Sequence, residues 1–317
     1  IELLNAGPTT FDGTFPDEVV TVLGDPDFEA GDTKWVFNAT GASPSVPASL
    51  NLVDSNTILT VAQADGLTIT GSSTATVQMD IDNNAILGDI GVDLVIVDDQ
   101  GGTDFGGQLP SGVPIRIEGQ VNVVNSAVIP AGTVTLAGGA SVASVDVTDA
   151  NIETGASFEM EAGSSLELTG AQADGLSIVT VDGDGNPDDT VSASVTLTDV
   201  QAGQDLSGIA IGGDLRVAFN DDTETEFTLP ASAVAGNEVT VENVDPAGSI
   251  DTLTITGVED SDAAFGDLSV TSGGGAGDVV LELDSTGDTE LGADANFGIE
   301  ADGSPADVTL AISGTGS

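Results

Sequence analysis

Between positions 113 and 170 one small pattern keeps returning: a glycine, two small residues, then a strand with apolar residues at alternate positions. It reads Gly132-Thr133-Val134-Thr135-Leu136 (one spacer shorter), Gly139-Ala140-Ser141-Val142, Gly155-Ala156-Ser157-Phe158-Glu159-Met160 and Gly163-Ser164-Ser165-Leu166-Glu167-Leu168. Gly132 and Gly155 lie 23 residues apart, Gly139 and Gly163 lie 24. A period near two dozen, with short strands and glycine corners, matches one coil of a parallel β-helix. Glycine suits the corners because the chain turns there through conformations that a Cβ hinders. Ser and Thr on the same rows can hydrogen-bond from coil to coil.

A longer repeat is superimposed on this one. Ala62-Gln63-Ala64-Asp65-Gly66-Leu67-Thr68-Ile69 returns 109 positions later as Ala171-Gln172-Ala173-Asp174-Gly175-Leu176-Ser177-Ile178. Allowing one insertion, Thr76–Met79 aligns with Ser194–Leu197, and Leu109-Pro110 with Leu229-Pro230. Elsewhere short apolar runs, among them Ile58–Val61, Leu67–Thr70, Ala75–Met79 and Val92–Val97, are separated by Gly, Asp and Asn. Such alternation with frequent turn residues reads as all-β. No stretch carries the period of an amphipathic helix. The fold class expected is all-β, built of parallel β-helix or β-solenoid repeats, with tandem β-sandwich modules as the alternative that the duplication also suits. The expected organisation is an N-terminal cap or joining segment over 1–50 and a first β repeat unit over 51–112. β-helix-like coils plus the second repeat unit follow over 113–232, then a degenerate C-terminal β unit over 233–317. Trp35, the one tryptophan, reads as a core or capping plug, and Asn38-Ala39-Thr40 is a lone glycosylation sequon.

Charge excludes whole classes of partner. Of 317 residues, 53 are acidic and three basic, for a net charge of −50, so nucleic acid and anionic membranes find no basic surface here. That much self-repulsion needs salt or bound cations, which points to a saline habitat, a calcium-rich exterior, or both. There is no cysteine, so packing, backbone pairing or metal must hold the fold. No apolar run approaches the ~18 residues of a membrane span. The chain begins at Ile1 rather than Met, and the expectation is an exported, extracellular or cell-surface protein whose signal peptide has been removed.

The octapeptide at 62–69, its copy at 171–178 and Asp205-Leu206-Ser207-Gly208-Ile209 resemble the β-strand repeats of very large acidic bacterial surface proteins, adhesin-like and surface-layer-like. The resemblance covers about half of the chain. It implies an extracellular structural or adhesive role, often with calcium, and offers no catalytic residues to carry over.

The sharpest local candidate for chemistry is the insertion 182–189. Asp182, Asp184, Asn186 and Asp188 or Asp189 set oxygen ligands at alternate positions on a glycine-rich turn, as calcium requires. It is not an EF-hand, because the twelfth position is Ala193. Asp80-Ile81-Asp82-Asn83, Asp98-Asp99 with Asp104, and Asp221-Asp222 are weaker versions. Without His or Cys, the usual nucleophile–base pairs and zinc sites cannot be assembled. Arg116 and Arg216 read as strand residues paired to neighbouring carboxylates.

The function these features favour is a non-catalytic structural subunit of an extracellular filament, surface layer or matrix. Its partner would be itself, as a homopolymer joined through β-strand edges or termini with cation support. Ile1–Leu4 and the strand at 307–313 are the first choices for the joining surfaces. The alternative is an adhesin or carbohydrate-binding β-helix module that takes surface glycans. A carboxylate-dependent glycosidase is the third class considered.

Overall fold

The computed structural model describes residues 2–4, 9–10, 19–23, 35–38, 49–53, 55–71, 74–79, 86–99, 103–123, 127–188, 190–201, 203–219, 226–230, 238–243, 250–258, 268–272, 278–285 and 308–314. The chain divides into two units, Ile1–Ser157 and Phe158–Ser317. The fold is all-β, and among the described residues every strand ladder is parallel.

In the first unit one sheet runs through Glu2–Leu4, Val19–Leu23, Ser49–Val53, Ile69–Gly71 and Ile90–Gly91. A second runs through Thr9–Thr10, Trp35–Asn38, Ser55–Thr60, Thr74–Met79, Leu94–Asp99, Ile115–Glu118 and Gly132–Leu136. A third takes up Thr103–Phe105, Gln120–Val123 and Ser144–Asp146. A narrow fourth row joins Val128–Ile129 to Asn151–Ile152, with bridges from Ile86 to Gln108 and from Gln108 to Val128. The chain visits these sheets in turn and returns one strand further along each time, which makes the unit a parallel β-solenoid. Tandem β-sandwiches are thereby set aside, since their sheets are antiparallel.

The alternation seen in the sequence becomes two stacks. Leu59, Val77, Val97, Ile117 and Leu136 occupy one register position in successive coils, and all are buried. One residue earlier on each strand, Ile58, Thr76, Ile96, Arg116 and Thr135 form the outer row. Period two therefore sorts inside from outside, and each fully buried Val, Leu or Ile side chain stabilises the fold by roughly 1.5–3 kcal/mol.

Coil length is not constant. Register partners are 18 residues apart at Thr57 and Ala75 and 31 apart at Ile178 and Ile209. The expected interval near two dozen does hold at Gly132, whose N–H donates to the carbonyl of Gly155 at 3.1 Å. Next to them, the hydroxyls of Ser157 and Thr133 are hydrogen-bonded at 3.3 Å. Gly139-Ala140-Ser141, expected to open a strand, is a 3-10 turn, and the strand starts later, at Ser144.

In the second unit Ser165–Thr169, Ser192–Val200, Gly212–Phe219, Glu238–Asn243 and Leu268–Ser272 form one parallel sheet. Leu168, Leu197 and Val217 stack in its interior. Glu226–Pro230, Ile250–Val258, Asp278–Ser285 and Val308–Gly314 form another, with Phe227, Leu253, Leu281 and Leu310 at one register position. Pro230 has no N–H to give a ladder, and it sits in a strand at the end of that sheet's order. The strands expected near 250–256, 268–271, 279–283 and 308–312 are all present. The side chain of Trp35, and with it the plug reading, lies outside the described residues.

Candidate functional site

Two features single themselves out: the repeated octapeptide and the acidic insertion.

The octapeptide is a corner. In each copy its first half lies in a single helical turn, α1 at Val61–Ala64 and α2 at Gly170–Ala173. The glutamine at the third helical position reaches back, so that the Thr60 N–H donates to Gln63 Oε1 at 2.8 Å and the Thr169 N–H to Gln172 Oε1 at 2.8 Å. In α2 the Thr169 hydroxyl also accepts the Gln172 N–H at 3.2 Å, completing a capping box. This bonding lets Gln63 be buried. Gly66 and Gly175 then take φ of 66° and 70°, a left-handed step that glycine adopts without strain. Leu67 and Leu176 return the chain to the interior.

The aspartate of the corner reaches the next coil. Asp65 Oδ1 accepts the N–H of Ile86 at 2.8 Å, and the carbonyl of Ile86 accepts the N–H of Gly66 at 2.9 Å. The second copy repeats both contacts. Asp174 Oδ1 accepts the N–H of Asp205 at 2.7 Å, and the carbonyl of Asp205 accepts the N–H of Gly175 at 2.8 Å. The repeat itself is plain in the sequence. The capping box within it was missed there, although its Thr-x-x-Gln signature is legible at 60–63 and 169–172.

One difference between the copies has a clear cause. Copy one begins its helix with the buried Val61, copy two with Gly170. A Cβ at Gly170 would meet Gln204 Oε1 and lie 2.7 Å from Val200 Cα. The Val200 backbone comes this close at an irregularity in the strand Ser192–Val200, where Asp199 adopts φ 54°.

The acidic insertion closes on itself. Asp182 Oδ1 accepts the N–H groups of Asp184 and Asn186, each at 2.9 Å, and the Asn186 amide nitrogen lies 3.3 Å from both Asp182 oxygens. The backbone N–H of Asn186 is the main reason the Asp182 carboxyl is held below its usual range; desolvation opposes it, and the Asn186 side chain and the backbone of Asp184 and Gly185 add to the lowering. Asp188 Oδ1 accepts from the backbone and hydroxyl of Thr190 at 2.9 and 2.7 Å. At the base of the loop the buried Thr180 hydroxyl donates to the Asp188 carbonyl at 2.8 Å and accepts the Gly212 N–H at 3.0 Å. The structure thus brings Asp182, Asp184 and Asn186 into one turn and ties Asp188 to the loop base. Asp189 lies outside the described residues. Calcium takes about six to eight oxygens, and here it would compete with N–H donors for Asp182 and Asp188. Among the described residues no three acidic side chains stand close enough together to hold a metal ion.

Of the weaker candidates, Asp104 Oδ1 accepts from the Asn122 side-chain amide at 3.0 Å, and Asp98 stands in register with Glu118 on another sheet. Asp80–Asn83 and Asp221-Asp222 fall outside the described residues. Arg116 is paired with Glu118 at 3.1 Å, as expected of a strand residue. Arg216 is exposed, in register with Thr196 and Thr240.

No protein-family model matches this chain, and no curated protein or solved structure is found similar to it.

Proposed function

We propose that this chain is a non-catalytic structural subunit of an extracellular filament, surface layer or matrix, polymerising with itself through strand edges with cation support. The observation that carries this reading is the parallel stacking of coils. Glu2–Leu4 pairs with Val19–Leu23 on one side, and Val308–Gly314 with Asp278–Ser285 on one side, with no further strand beyond either among the described residues. A parallel ladder of this kind can accept another strand at its edge, and a head-to-tail contact that does not close produces a filament. Acidic faces in contact need cations, and calcium at Asp182, Asp184, Asn186, Asp188 and Asp189 is the first to try. Removing Ile1–Leu4 tests the edge directly. Light scattering should then show that assembly is lost while the far-ultraviolet spectrum is kept; assembly at the parent rate would exclude strand addition at that end.

The second reading, an adhesin or glycan-binding module, draws on side-chain ladders between coils. The Thr70 hydroxyl donates to Asn51 Oδ1 at 3.3 Å, and Asn122 to Asp104 in the same manner. It calls for monomers that are retained on immobilised glycans.

A further inference from the structure

The two residues grasped by the corners have unlike side chains, Ile86 and Asp205, yet the segments that carry them match. Ile86-Leu87-Gly88-Asp89-Ile90 and Asp205-Leu206-Ser207-Gly208-Ile209 share a leucine at the second position and an isoleucine at the fifth. All four of these side chains are buried. A third contact is also common to both: the Ile69 N–H donates to the Asp89 carbonyl at 3.1 Å, and the Ile178 N–H to the Gly208 carbonyl at 3.0 Å. Each corner therefore meets its segment through one carboxylate and two backbone N–H groups, at the same three places.

We propose that the corner and the x-Leu-x-x-Ile segment one coil later are a matched clamp and receiver, which sets coil register by reading the receiver's backbone while Leu and Ile anchor it. The side chain at the clamped position is not read, which is why Ile and Asp are both accepted there. Receiver 205–209 is in addition the end of a third, degenerate corner. The Gln201 N–H donates to Gln204 Oε1 at 3.0 Å, repeating the bond of Thr60 and Thr169. In this copy Asp205 Oδ1 accepts the Ser207 N–H of its own segment at 3.0 Å.

Amide hydrogen exchange on the full chain, followed residue by residue, tests the device. Asp174→Ala should speed exchange at Asp205 by roughly tenfold, the loss of one charge-assisted hydrogen bond, and Asp174→Asn, which keeps an acceptor oxygen, should restore most of the protection. Asp205→Ile should leave the Gly175 amide as protected as in the parent. If Asp174→Ala does not fold, Asp65→Ala read at Ile86 is the equivalent in the first unit. Unchanged exchange at the clamped amide in the alanine variant would overturn the clamp. Loss of Gly175 protection in Asp205→Ile would overturn backbone reading.

Discussion

The hydroxyl of Thr180 accepts the backbone N–H of Gly212, thirty-two positions on, at 3.0 Å in the interior of the second unit. It also donates to the carbonyl of Asp188, so one buried side chain holds both the next coil and the base of the acidic loop. Thr180→Val keeps the volume and leaves the buried Gly212 N–H without its acceptor. The expected cost is about 1–3 kcal/mol, read as a fall in the urea midpoint; an unchanged midpoint would mean the bond contributes nothing.

Glycines at corners and glycines under neighbouring backbone should answer differently to alanine. Gly66 has φ 66° and open space where a Cβ would stand, so Gly66→Ala should cost only the left-handed strain of about 1–2 kcal/mol. Gly71 has φ 133°, and a Cβ there would run into the Leu52 carbonyl of the previous coil. Gly71→Ala should therefore destabilise the first unit by roughly 3 kcal/mol or more. Thermal unfolding of the two variants side by side checks the order, and equal losses would contradict it.

The acidic loop should open in acid. The folded state holds the Asp182 carboxyl below the usual aspartate value of 3.8, so its charge favours the closed loop. That contribution is complete at neutral pH, still present just above the ordinary value, and lost as pH falls through the lower folded value. Exchange at the Asn186 amide, followed down in pH, should rise only below the ordinary range. An opening midpoint near neutrality would refute the assignment.

What could be read ahead of the structure was local. The glycine interval at 132 and 155 gave the coil because the two residues are direct neighbours across it. Period-two alternation at Leu59, Val77 and Val97 marked the interior, but it is the same in parallel and antiparallel sheets, so it left the solenoid and the sandwich both standing. The meaning of Asp65 was hidden because its partner, the Ile86 amide, is a backbone group 21 residues away that no side-chain pattern announces. The acidic loop reads as a candidate ligand set because alternate Asp and Asn suit calcium and self-closing turns alike, and the partners of Asp182 Oδ1 are backbone N–H groups of Asp184 and Asn186 that no side-chain pattern announces.

Charge should make stability depend on salt. With 53 acidic residues against three basic ones, parallel stacking of coils about 4.8 Å apart crowds negative charge together. Like charges so placed repel, and salt screens them over a Debye length of about 8 Å at physiological strength. The melting temperature should climb as sodium chloride is raised from low millimolar to molar. A flat or falling curve would show that the crowded charge carries no net repulsion.

Negative-stain electron microscopy of the purified chain in high salt, first with calcium and then with a chelator, tests the structural role most directly. Filaments or sheets that depend on the cation are expected of a polymerising subunit. Separate monomers under every condition would contradict that role.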